Sequence, residues 1–231
     1  MASAARCGIS TTWCARARGA DMARQLYIVG AGGFGREVCN WLLALPEAGR
    51  DWELAGFLDD DPAALDGFDY APGVVGSPRQ WTPGAGEVFV CGIGRLDMKK
   101  AVCGRLLEQG ADFMTLVHPT ALVGRGVRLG PGVVICPRVT LTCDIEVGEM
   151  AIINCHSTVG HDVRIGAWST ISGNCDLTGC SSVGEGEFMG SGARVIPGKS
   201  VGDGAVVGAG AVVIRPVEAG DRVFGNPARS F

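Results

Sequence analysis

Residues 147–171, VGEMAIINCHSTVGHDVRIGAWSTI, carry an aliphatic residue at every sixth position, and the spacing continues in both directions. It runs from Val117 to Val213 through seventeen positions without insertion or deletion, with Met189 the only one that is not Val, Leu or Ile. A fixed period of this kind marks a repeat architecture. Steps of six cannot follow one helix face, because six turns of about 100° land roughly 240° away. A strand accommodates them, since residues two apart share a face. The residues two before the aliphatics, among them Ala121, Val133, Val139, Ala151, Ser157, Ser169, Cys175, Ala193 and Ala205, are small or β-branched and suit a narrow interior.

Gly follows the aliphatic at nine of these positions, including 124, 148, 160 and 184, where a corner demands unusual backbone angles or a close approach. Each hexad is then one short strand and one corner. Three hexads close one triangular coil, and between five and six coils stack into a prism. Burying each Val, Leu or Ile is worth roughly 1.5–3 kcal/mol, enough to build a core with few aromatics. Two residues break the inward pattern. Glu187 and Lys199 fall where small residues belong, and their spacing of two hexads predicts a pair facing across the interior.

Composition narrows the function. The 231 residues allow one or two domains, and a net charge of −4 gives no reason to expect a nucleic-acid partner. Apolar runs fall short of the roughly 18 residues that cross a membrane. The ten cysteines contain no CxxC pair and read as reduced thiols of a cytoplasmic protein. Residues 1–24 read as a disordered extension or an early start, with Arg6, Arg16, Arg18 and Asp21 and no secretory apolar run.

Residues 25–113 read as a small α/β unit, followed by the prism at 114–231. A strand at 26–29 runs into Gly30-Ala31-Gly32-Gly33-Phe34-Gly35 and then a helix over 36–45, an order that aims backbone N–H groups at a phosphate. A second strand, 53–58, ends in Asp59-Asp60-Asp61, whose carboxylates suit sugar or ribose hydroxyls. A third, 87–91, ends in Gly92-Ile93-Gly94, and a helix follows over 96–109. The unit is half the size of a full dinucleotide domain, and Asp59 follows Gly32 at a greater distance than a dinucleotide site requires. A phosphate site for a nucleotide-linked sugar fits better, beside the plainer reading of a turn that packs helix on strand.

Three histidines offer proton chemistry: His118, His156 and His161. His118 precedes Pro119 and reads as a packing or capping residue. His161 sits on an outward corner before Asp162, and a carboxylate beside an imidazole can fix its tautomer for general-base work.

Tyr-Ile-Val-Gly-Ala-Gly-Gly-Phe-Gly at 27–35, Gly-Phe-Leu-Asp-Asp at 56–60, His-Pro-Thr-Ala at 118–121, Gly-His-Asp-Val-Arg-Ile-Gly at 160–166 and Val-Phe-Gly-Asn-Pro-Ala-Arg at 223–229 together resemble the hexapeptide-repeat sugar acyltransferases. The resemblance is to the sialic acid O-acetyltransferase and bacillosamine or perosamine N-acetyltransferase branch. It implies a left-handed parallel β-helix behind a half-Rossmann-like α/β domain, a homotrimer, acetyl-CoA between neighbouring prisms and a nucleotide-sugar in the N-terminal domain, with no resident metal. By position it implies His161 as catalytic base and Asp162 as its supporting acid. Thr170, Gly179, Ser191 and Ala209 fall at coenzyme contacts, with Gly179 donating to the thioester carbonyl. Gly32, Gly33, Phe34, Asp59, Asp60 and Gly94 fall at nucleotide-sugar contacts, and Asn154 at an acceptor-orienting position near the base. The chain departs from relatives in having Gly160 for an acid, and Phe34 and Thr170 for histidines.

Two other readings compete. His156 and His161, five apart, resemble the spacing of γ-class carbonic anhydrases, which hold a metal through three histidines on the same prism. A non-catalytic nucleotide-sugar-binding protein on this fold is the second.

Overall fold

The structure, a computed structural model, describes residues 23–48 and 50–230. The expected N-terminal extension therefore lies outside the described residues apart from its last two.

The N-terminal region runs β1 (Arg24–Val29), α1 (Gly33–Leu43), β2 (Trp52–Leu58), β3 (Val74–Gly76), β4 (Glu87–Cys91) and α2 (Leu96–Glu108). Its sheet is parallel with order β3-β2-β1-β4. Leu26, Ile28, Phe57, Val88, Phe89 and Val90 are fully buried in it, as expected of a parallel sheet covered by helices. The chain leaves β1 for β2 on one side and later returns to pair β4 on the other. This reversal opens a crevice at the carboxyl ends of β1 and β4, where ligands bind in open α/β sheets. The short β3 is absent from the sequence reading. It is three residues long between Pro72 and Pro78, too brief for a periodic signal. Helix α1 begins at Gly33, inside the glycine motif and earlier than expected.

From Leu116 onward the chain forms two-residue strands that pair in parallel with the strand three hexads away, as in Val134↔Ile152, Thr158↔Asp176 and Arg164↔Ser182. They build the three walls of a parallel β-helix. The first wall holds Leu116–Val117, Val134–Ile135, Ile152–Ile153, Thr170–Ile171, Phe188–Met189 and Val206–Val207. The second runs from Leu122–Val123 to Val212–Val213 and the third from Arg128–Leu129 to Ser200–Val201. The aliphatic column is buried from Ile135 to Val213 and half-buried at Val117, Val123 and Leu129, where the stack begins. Two inward serines find backbone acceptors, Ser157 Oγ donating to Ser172 O at 2.9 Å and Ser169 Oγ to Gly184 O at 2.7 Å, whereas Ser181 Oγ is buried without a partner.

The corners divide two demands that the sequence reading merged. Where glycine follows the aliphatic it is there for close approach: a Cβ on Gly148 would lie 2.4 Å from Ala167 N, and one on Gly160 2.7 Å from Gly179 N. Positive φ falls three residues after the aliphatic, at Asp144, Met150, His156, Asp162, Trp168, Asn174 and Cys180 (φ 54–64°) and at glycines such as Gly186.

The expected Glu187–Lys199 pair does not form. Both Glu187 carboxylate oxygens are buried without a hydrogen-bond partner, and Lys199 is half-buried. Desolvation raises the Glu187 carboxyl well above its ordinary range, so a neutral acid replaces the ion pair.

One wall differs from the others. Outward-pointing Val134, Ile152 and Thr170 of the first wall are buried, whereas Thr158 and Arg194 of the second and Arg128 and Arg164 of the third are exposed. The covered wall lies against the N-terminal region. Lys99 of α2 reaches Met150 O (3.0 Å), Ser169 O (3.3 Å) and Thr170 Oγ1 (3.1 Å), and Lys100 pairs with Glu185 at 3.0 Å.

Candidate active site

Two separate places carry most of the expected residues. The first is the crevice at the ends of β1 and β4, a cleft of about 380 Å³ lined by Gly32, Gly33, Phe34, Asp59, Asp60 and Gly94 among others. All six expected sugar contacts thus line one cavity. The glycines of its rim do different work. A Cβ on Gly35 would sit 1.9 Å from Gly30 O, so that glycine lets α1 close onto β1. Gly32 and Gly33 have open space where a Cβ would go and no positive φ. Packing makes no demand for glycine there, which leaves room for a ligand at the N-terminus of α1, where unpaired N–H groups and the helix dipole favour an anion. Gly32 caps α1 with no side-chain hydrogen bond.

The two aspartates are engaged with the protein. Asp59 Oδ2 accepts from Ala31 N at 2.7 Å and Oδ1 from Asp61 N at 3.0 Å, so its carboxylate ties the glycine loop to the end of β2. Asp60 accepts from Ser77 Oγ and pairs with Arg79, each at 2.5 Å. Phe34 packs edge-on against Trp41 and leaves part of its ring on the cleft wall.

The second place is the edge where the second wall turns into the third. His161 lies on it with a side chain 61% exposed, and its Nδ1 sits 2.8 Å from Asp162 Oδ2. With Nδ1–H donating to that carboxylate, Nε2 keeps its lone pair for an incoming proton. The next coil shapes the ring's seat. A Cβ on Gly179 would lie 2.5 Å from His161 Nε2, so only glycine admits the imidazole there. Cys180 N donates to His161 O at 2.9 Å and fixes the two coils in register. Gly179 N makes no backbone hydrogen bond among the described residues, leaving an unused backbone donor on the residue that seats the ring.

The remaining expected residues do not share that edge. Ser191 and Ala209 are exposed and stacked in successive coils on the edge between the first and second walls. Asn154 leads into the same edge, where its Oδ1 accepts from Cys136 Sγ at 3.5 Å; it is not beside His161 of its own prism. Thr170 departs furthest from expectation. It is 3% exposed and its hydroxyl is held by Lys99, because α2 covers this stretch of wall, so its side chain belongs to the junction between the α/β region and the β-helix.

Lys99 itself escaped the sequence reading. It is fully buried and answered by two carbonyls and a hydroxyl, with no acid in its hydrogen bonds. Burial lowers its ammonium to about 8, against a smaller upward pull from the Cys91 and Cys103 thiols. Its signal was available: Lys99 shares the helical stripe of buried Val102, Cys103 and Leu106.

His118 is a local cap, its Nδ1 2.9 Å from Thr120 Oγ1 and accepting from Thr120 N at 3.2 Å, while burial lowers its pKa. His156 and His161 occupy different edges, and among the described residues no group of three histidines converges. The three-histidine metal site of the competing reading is therefore not assembled within this chain.

Comparison with known proteins identifies the family. Residues 25–106 match the family model of the PglD N-terminal domain. The GDP-perosamine N-acetyltransferase of Escherichia coli O157:H7 is 32% identical over 215 residues, covering 88% of this chain and 95% of that protein. Among solved structures, PerB from Caulobacter crescentus, in complex with CoA and GDP-perosamine, superposes with a TM-score of 0.78 at 34% identity, covering 90% of this chain and 97% of that one. That perosamine N-acetyltransferase is also solved with one histidine replaced by asparagine and the same two ligands. The acetyltransferase domain of PglB from Neisseria gonorrhoeae FA1090 gives a TM-score of 0.81 at 28% identity, covering 90% of this chain and all of that one. By sequence and by fold, the chain belongs to the hexapeptide-repeat sugar acyltransferase family.

Proposed function

We propose that this protein transfers an acetyl group from acetyl-CoA to an amino or hydroxyl group of a nucleotide-linked sugar, with His161 as general base. The observation that carries the reading is the His161 edge: an exposed imidazole, oriented by Asp162, seated against a glycine of the next coil whose N–H is free of backbone partners. In the reaction, His161 Nε2 takes a proton from the sugar amine or hydroxyl as that atom attacks the thioester carbon. Gly179 N–H donates to the carbonyl oxygen as it gains charge. The tetrahedral intermediate collapses with loss of the coenzyme thiolate, which collects the proton from the imidazolium. The thiolate leaves readily, so no acyl-enzyme is needed.

The work divides between residues 25–113, which hold the sugar nucleotide through Gly32, Gly33, Phe34, Asp59, Asp60 and Gly94, and residues 114–231, which carry the transfer. In this division Asp59 acts chiefly by holding the glycine loop. Gly179, Ser191 and Ala209 contact the coenzyme. Because Ser191 and Ala209 lie on a different edge from His161, one coenzyme reaches both sets only where a neighbouring copy supplies the second edge, which favours a homotrimer. The protein works in the cytoplasm, where its thiols remain reduced.

Screening acetyl-CoA against UDP- and GDP-linked amino sugars, with thiol release as readout, tests the reading. Acceptor-dependent thiol release is expected. Sugar-nucleotide binding without coenzyme binding would favour the non-catalytic alternative.

A further inference from the structure

The edge that carries His161 holds more metal-binding chemistry than acetyl transfer uses. His161, Asp162 and Cys180 each offer one donor atom, and the three lie within 4.8 Å of one another. The β-helix imposes this grouping. Asp162 and Cys180 are three hexads apart and occupy the same corner position in successive coils, each in the left-handed region at φ 59°. Coils stack about 4.8 Å apart, and the Cys180 N to His161 O hydrogen bond of 2.9 Å locks the register. Their side chains therefore leave one corner on neighbouring levels. The missing Cβ of Gly179 lets the imidazole lie across the gap between them. Cys143 stands one coil before His161, and its carbonyl accepts from Asp162 N at 3.3 Å, adding a second thiol-bearing residue to the edge.

The donor set is selective. An imidazole nitrogen, a thiolate and a carboxylate form the mixed ligand set that zinc takes, with an open fourth position. Metal–ligand bonds of about 2.0–2.3 Å put tetrahedral ligand atoms roughly 3.3–3.8 Å apart. The 4.8 Å limit of the cluster thus leaves about 1 Å to be closed by rotation of exposed side chains.

We propose that His161, Asp162 and Cys180 form an inhibitory Zn²⁺ site: the metal binds one nitrogen of the neutral imidazole while the ring proton stays on the other, and Cys180 releases its thiol proton to solvent as the Zn–S bond forms. The inhibitory half rests on His161 as the general base; the binding half does not. A metal-held imidazole has no lone pair for the acceptor's proton, so the enzyme stops while zinc is bound and recovers on chelation. Affinity rises with pH because binding displaces a proton.

The test uses chelator-treated full-length protein and its Cys180→Ser variant. Zn²⁺ binding is measured by competition with a chromophoric chelator and Cd²⁺ binding by the ultraviolet thiolate-to-metal band. The Cys136 and Cys155 thiols lie on another edge, remain in both proteins and give the common background. The expected result is one site present in the wild type and weakened at least about tenfold in Cys180→Ser, a loss at least as large as that of an outer-shell partner. Metal-free turnover should be the same in both proteins, and zinc inhibition should shift to correspondingly higher concentration in the variant. Equal zinc and cadmium binding by the two proteins overturns the site. Binding that is lost in the variant but does not slow the wild type overturns its inhibitory role. Turnover of the metal-free proteins is read separately, so failure of the transfer reading is distinguishable from either outcome.

Discussion

Replacing Gly179 with Ala should slow the enzyme about a hundredfold while leaving its fold intact. The new Cβ would lie 2.5, 2.7 and 3.0 Å from Nε2, Cε1 and Cδ2 of His161, where ordinary contact begins at 3.4 Å, so the ring must retreat by about 0.9 Å. Retreat is cheap, because the imidazole is 61% exposed and its partner Asp162 is equally exposed and can follow it. Gly179 has no positive φ, so alanine meets no backbone strain. The expected change in stability is within about 0.5 kcal/mol, as for other surface substitutions. Catalysis is less forgiving: a displacement of about 1 Å costs on the order of 10²-fold, or about 2.7 kcal/mol of barrier. The variant should keep the wild-type Tm while kcat, measured by thiol release with a saturating acceptor, falls about a hundredfold. An unchanged kcat at unchanged Tm would refute the seat assigned to the ring. A large fall in Tm would refute the claim that this glycine serves the site and not the wall.

Three further outcomes follow from the buried polar groups and the cleft. Glu187 holds a proton in the folded state that the unfolded chain releases above its ordinary value of 4.5. Between 4.5 and the raised folded value the native state binds more protons, so its contribution to stability falls as pH rises; Tm scans across pH should show this slope, and Glu187→Ala, a small residue like its column neighbours, should flatten it. Lys99 has the opposite sign: its ammonium is lowered to about 8 from 10.5, so the unfolded chain binds the extra proton between these values and the junction gains stability as pH rises through them. By hydrogen exchange, Lys99→Met should remove that gain and expose the first-wall amides near Thr170. Asp59→Ala frees the glycine loop from β2 and should raise the KM for the sugar nucleotide several-fold with the KM for acetyl-CoA unchanged; equal effects on both would contradict the separation of the two sites.

The repeat was legible because it is strictly local: a hexad and a corner decide each strand, and no distant contact is needed to choose a period of six. The glycine cleft was legible for a similar reason, since a strand, a glycine turn and a helix are adjacent in sequence. The covered wall was harder. Its signal is the outward series Val134, Ile152 and Thr170, one per coil and visible only once the three walls are distinguished. Lys99 was hidden because a lysine on a buried helical stripe opposes its residue type, and its acceptors lie 51 to 71 residues away. The Glu187–Lys199 expectation failed because equal inward phase says nothing about reach across the prism, and desolvation favours a neutral carboxyl over an unpaired charge. The separation of Ser191 and Ala209 from His161 depends on which corner each hexad turns, a matter of counting in threes that one hexad does not reveal.

The most direct test of the account is kcat of His161→Ala against wild type with an identified acceptor, alongside calorimetric binding of CoA and of the sugar nucleotide. A loss of roughly 10²–10⁴-fold in kcat with both affinities retained is expected for removal of a general base. Turnover close to wild type in a folded His161→Ala protein would contradict it.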